Sequence, residues 1–212
     1  MTLRPAFSLL ALAVLSGCGP AAGPGDVELL QPRLLAHWHA AGIAEGGKVS
    51  IQADELVLFP GKPMSAAFFD GWIGEKLPLT DYAVTFEARR VEGRDFFAAL
   101  TFPVRRIDTC ATLVLGGWGG ALVGISSIDD QDASENSTRS EQHFINGKWY
   151  RVRLEITNDE LKAWLDDRLV VNTSIKGRKI SLRPGDIEHC APFGFASFAS
   201  EGQVRGLKIT RL

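Results

Sequence analysis

Apolar and polar side chains alternate along most of this chain. From Tyr82 to Arg89 the large apolar residues Tyr82, Val84 and Phe86 fall at every second position. That period predicts a strand with one buried face. The run from Trp149 to Ile156 is cleaner still. Tyr150, Val152, Leu154 and Ile156 share one side, and Arg151, Arg153 and Glu155 share the other. Leu161 to Leu165, the pair Asp166-Asp167 and Arg168 to Val171 read as a hairpin closed by a tight acidic turn. Asn146-Gly147 is a second turn signal, just ahead of the Trp149 strand. A closing strand runs from Gly206 to Leu212, with Leu207 and Ile209 facing inward.

No long stretch carries a helical period, and Gly or Pro punctuates the chain at short intervals. Many short strands with that spacing predict an all-β fold, an antiparallel two-sheet sandwich of the jelly-roll kind. There is no internal repeat. One domain is expected over residues 27–212.

The first residues break the pattern. Arg4 precedes an apolar run from Pro5 to Leu15, too short for a membrane span but long enough for a signal-peptide core. The run ends in Leu15-Ser16-Gly17-Cys18, the pattern at which bacterial lipoproteins are lipidated and cleaved. Residues 1–17 are therefore expected to be a signal peptide, and Cys18 the lipid-bearing residue that anchors the chain to a membrane. Residues 18–26, rich in Gly, Ala and Pro, read as a flexible tether. Gly19, standing where an inner-membrane retention signal would place Asp, favours the outer membrane of the cell envelope.

Composition narrows the partners. A net charge of −2 gives no basic footprint, which argues against nucleic acid. With Cys18 taken by lipid, Cys110 and Cys190 remain as an even pair. They are read either as one disulfide, which an oxidising envelope permits, or as two small buried thiols.

The order of strands in the second half carries a resemblance. Trp149 to Leu154 is followed by Leu161 to Asp167, then Val170-Val171, Pro192 to Ala196, and Leu207 to Ile209. This order resembles the concanavalin A-like jelly rolls, which include laminin G-like modules and bacterial lectin and glucanase folds. Within that group it is most similar to the 3-keto-disaccharide hydrolase domain family, whose early strand matches Leu79 to Arg89. The resemblance runs from about Trp38 to Leu212. It implies carbohydrate as partner and, for activity, hydrolysis or lyase-type cleavage of oxidised disaccharides. Gly116 to Gly120 and Ser126 to Asp130 depart from that family and mark a distinct subgroup.

Two segments carry candidate chemistry. Gly116-Gly117-Trp118-Gly119-Gly120 strips side chains from around one indole. An exposed Trp118, flanked by Gly117 and Gly119, would stack on a sugar ring, whereas a buried one would mark a strand bend. Downstream, Asp130, Asp132, Ser134 and Asn136 alternate as oxygen ligands do in calcium loops, so Asp130, Asp132 and Asn136 are candidate ligands for calcium. The EF-hand glycine and distal glutamate are missing, and a solvated acidic loop is the competing reading.

Asp129, Asp130, Asp132 and Glu135 are also the best general acid or base candidates, with His143 or Arg139 as partner. In a 3-keto sugar the carbonyl acidifies the neighbouring proton. A carboxylate would remove that proton while a metal or cationic donor holds the enolate. Arg94, beside Asp95 on a turn, either pairs with it or lines the ligand face. His37 and His39 share a strand face, a spacing seen in metal sites and in paired surface histidines. No Gly-x-Ser-x-Gly elbow or Cys-His pair points to a serine or thiol hydrolase.

Three alternative outcomes turn on one side chain. Carboxylates converging near Trp118 would mean an enzyme, an exposed Trp118 without them a glycan-binding or adhesion module, and a buried Trp118 a structural domain.

Overall fold

The computed structural model describes residues 25–212. The expected signal segment, Cys18 and most of the tether lie outside the described residues. In chain order come β1 (Val27–Glu28), a 3-10 turn (Pro32–His37), β2 (Trp38–Ala40), β3 (Val49–Gln52), β4 (Glu55–Leu58), β5 (Met64–Phe69), β6 (Tyr82–Gly93) and β7 (Ala99–Val104). β8 (Arg106–Gly116), β9 (Leu122–Ser126), β10 (Ser140–Glu141), β11 (Tyr150–Ile156), β12 (Glu160–Leu165) and β13 (Arg168–Ser174) follow. A second 3-10 turn (Asp186–Cys190) leads into β14 (Gly194–Phe198) and β15 (Ser200–Arg211).

These strands form two antiparallel sheets. The first has the order β13-β12-β11-β6-β15-β4-β3, with β1 added beside β15, and the second β10-β9-β8-β7-β14-β5-β2. Hairpins such as β11-β12-β13 and β7-β8-β9-β10 are joined by the non-consecutive pairings β11-β6, β6-β15, β15-β4, β7-β14 and β14-β5, and these crossovers make a jelly roll, as the alternation predicts. The two acidic turn residues, Asp166 and Asp167, both take left-handed backbone angles, φ 47° and 67°. That is the geometry a two-residue hairpin needs to match strand twist.

The core lies between the sheets. Phe86 meets Phe195 edge-on at 5.1 Å, Trp72 lies 5.0 Å from Phe193, and Phe97 lies 5.0 Å from Phe144. Tyr82 is fully buried, and its hydroxyl donates to the Pro103 carbonyl at 2.6 Å, which satisfies the one polar atom that its burial would strand. Trp38 points into this core, so its neighbours His37 and His39 point out. Asp70 accepts from both, at 2.8 Å from His37 Nδ1 and 2.9 Å from His39 Nε2. The His37 hydrogen bond, first among the causes, holds the Asp70 carboxyl below its ordinary range. The two histidines are thus a surface pair clasped by one carboxylate.

Cys110 and Cys190 are both buried and unbonded, so the thiol reading holds. Burial pushes each thiol up to about 12. Neither supplies a thiolate near neutral pH.

Candidate glycan-binding site

The connection from β8 to β9 is built from four glycines and one tryptophan. Gly116, Trp118, Gly119 and Gly120 take φ of 80°, 50°, 89° and 109°. Glycine occupies this region freely, but a bulky residue there costs about 1–2 kcal/mol. Trp118 accepts that strain, and its indole stays 45% exposed. Asp95 holds the turn in place. Its Oδ2 accepts from Gly119 N at 3.0 Å and its Oδ1 from Phe96 N at 2.8 Å. Gly120 must be glycine, since a Cβ would come within 2.7 Å of the Arg94 carbonyl.

Trp118 forms one wall of a cleft of about 360 Å³. The Phe96 and Phe198 rings, 5.6 Å apart, and Ile187 supply the apolar surface. Arg183 also lines the cleft, with its guanidinium over the indole, 5.8 Å from the ring centroid. Asp95 and Asp186 add carboxylates to the lining. An aromatic face with a few fixed polar groups is what a sugar ring requires, since its C–H face stacks while its hydroxyls find partners.

The carboxylates of the acidic loop are engaged in ion pairs and hydrogen bonds. Asp129 Oδ2 accepts from Arg178 Nε at 2.8 Å, and its Oδ1 accepts from Lys179 N at 2.9 Å. The Arg178 bond, then the Lys179 one, keeps the Asp129 carboxyl below the ordinary carboxylate range. Asp130 pairs with Lys179 Nζ at 2.7 Å, and Asp132 with Arg183 at 3.4 Å. Asp132 also accepts from Ser134 N and Oγ, at 2.8 and 2.6 Å. Glu135 accepts from Asp132 N at 3.4 Å. His143 lies exposed beyond β10, and Arg139 pairs with Glu141 at 3.2 Å. Arg94 is exposed, while Asp95 serves the turn instead of pairing with it. None of the five predicted acid-base residues lines the Trp118 cleft. Asp132 reaches it only through Arg183.

Asn136 is buried and spends its amide on the fold. Its Nδ2 donates to the carbonyls of Ile125, Gln131 and Asp132, at 2.8, 3.1 and 2.9 Å. Its Oδ1 accepts from Thr138 N and Oγ1, at 2.9 and 2.6 Å. The side chain has no oxygen left for calcium, so the alternating donor set does not fit that ion. Among the described residues no group of three or more His, Cys, Asp or Glu is arranged to hold a metal.

Arg183, Asp186 and Phe198 complete the cleft without any local signal in the sequence. They lie on the segment before β14 and on β14 itself, and only the sheet order brings them to Trp118.

No family model matches the chain, and no curated protein matches it. Solved structures do match, as two-sheet folds of the same kind. The carbohydrate binding module CBM66 from Bacillus subtilis is 15% identical, with 81% of this chain and 94% of that one aligned at a TM-score of 0.50. A Parabacteroides distasonis protein provisionally assigned as a glycosyl hydrolase is 9% identical, with 89% and 94% aligned at 0.54. The Crh5 transglycosylase in complex with NAG is 10% identical, with 85% and 83% aligned at 0.50. At such identities the likeness is one of fold.

Proposed function

We propose that this domain is a carbohydrate-binding module that captures a sugar residue in the Trp118 cleft without cleaving it. The observation that carries the reading is Trp118 itself, held half-exposed in a strained left-handed turn above an aromatic cleft. Backbone strain that persists in a bulky residue points to a role the strain serves. The carboxylates that would have to act in a hydrolase are each engaged with a cation or a backbone N–H outside the cleft. The names of the fold neighbours, a carbohydrate binding module among them, support the ligand class. Lipid on Cys18 would hold the module at the cell envelope.

Isothermal titration of the purified protein with ordinary and 3-keto disaccharides tests this, with product sugars followed in the same samples. Binding without turnover is expected. Trp118→Ala should weaken it about tenfold or more, the loss of one stacked aromatic face. Asp130→Ala should leave it unchanged. Product formation that Asp130→Ala abolishes would replace this reading with the 3-keto-disaccharide hydrolase one. The anchor has its own test, because Cys18→Ala should move the protein from the membrane fraction to the soluble one.

A further inference from the structure

The outward face of the first sheet carries a second concavity, a groove of about 980 Å³. Register lays out its floor. Lys208 lies opposite Thr85, Thr85 opposite Arg153, and Arg153 opposite Trp164. That row crosses four adjacent strands, about 14 Å in all at about 4.8 Å per strand gap. A parallel row sets Arg205 opposite Glu87 and Glu87 opposite Arg151. The irregularity in β15 around Gly206 receives the wall of the groove. Gly206 N donates to Asp54 Oδ1 at 3.1 Å, and Asp54 N donates to the Leu30 carbonyl at 2.8 Å. Leu30, Gln31 and Pro32 thereby line one side of the groove.

The charges in this groove nearly balance. Three cations, Arg151, Arg153 and Lys208, face four carboxylates, Glu28, Asp54, Glu87 and Asp167. Several are paired, Arg151 with Asp167, Glu87 with Arg205 at 2.7 Å, and Arg153 with Glu155 at 2.7 Å. Each pair holds its members in place and leaves further N–H groups and lone pairs free, since a guanidinium has five donors and a carboxylate about four acceptor sites. Donors and acceptors therefore alternate along the floor without a field that would select a polyanion. Trp164, part-exposed at the end of the first row, adds an aromatic face.

We propose that this groove binds a neutral polysaccharide chain, laid across β15, β6, β11 and β12 from Lys208 to Trp164. Vicinal hydroxyls match fixed pairs of donors and acceptors, and a pyranose ring stacks on the indole. The site lies on the other sheet from the Trp118 cleft, and it shares with the reading of that cleft only the class of ligand.

A length series separates the two sites. The purified protein is titrated with neutral oligosaccharides of glucose, mannose, arabinose and fructose, from two units to eight, and with polygalacturonate as acidic control. Affinity for at least one neutral series should rise about tenfold with length, and added salt should not weaken it. Trp164→Ala should remove that rise while disaccharide binding at Trp118 persists. Thr85→Arg, which fills the floor from an outward position, should do the same, with unchanged melting curves showing that both variants fold. The absence of any length dependence would overturn the proposal. So would a rise that survives both variants, or binding confined to polygalacturonate and lost in salt. If Trp118→Ala alone changes nothing, the cleft reading fails and the length series still decides this one.

Discussion

Asn136 sits where a spaced run of oxygens suggests a cation, yet its amide is a brace between the end of β9 and the loop that follows. Five hydrogen bonds converge on one buried side chain. Asn136→Ala would strand carbonyls and a threonine in a dry site, so a loss of about 1–3 kcal/mol is expected in urea denaturation, unaffected by calcium. The acidic residues beside it are likewise tied into the fold. Their countercharges are far along the chain, Lys179 being 50 residues from Asp129. A sequence shows the acids as an unneutralised cluster, and only the fold supplies Arg178, Lys179 and Arg183. Trp118 was legible because its glycines are adjacent to it. Arg183 and Phe198 were not, because no local pattern marks a residue that the sheet order brings in from far along the chain.

The strands themselves were readable, since alternation is a local consequence of one buried face. Tyr150 to Ile156 places its apolar and charged residues on the sides the pattern assigns. What alternation cannot show is where two backbones touch. At Gly202 in β15 a Cβ would lie 1.7 Å from the Phe97 carbonyl oxygen. That position joins the long strand of one sheet to the segment entering β7 of the other, behind the Asp95 turn that carries Trp118. Gly202→Ala must push these backbones apart. It should cost about 3 kcal/mol or more by denaturant melt, and glycan binding at Trp118 should fall with it. Gly119→Ala, with open space around its Cβ but φ of 89°, should cost only about 1 kcal/mol.

At the scale of the whole molecule, the jelly roll gives this chain two unlike faces. On one, the segment before β14 meets the β8–β9 turn to make a small aromatic cleft. On the other, the sheet lies open as a long polar trough. The two cysteines are unbonded, and the aromatic core between the sheets joins the two faces. The short strand β1 adds one more property. It lies antiparallel on β15 with Val27 opposite Ile209, so the two ends of the domain sit a single strand spacing apart. The backbone is in effect an almost closed ring, and its present opening is only one of several the fold would tolerate. A short glycine bridge joining the ends, with a new break at the exposed turn of Lys176 and Gly177, should yield a circular permutant that folds to the same two sheets.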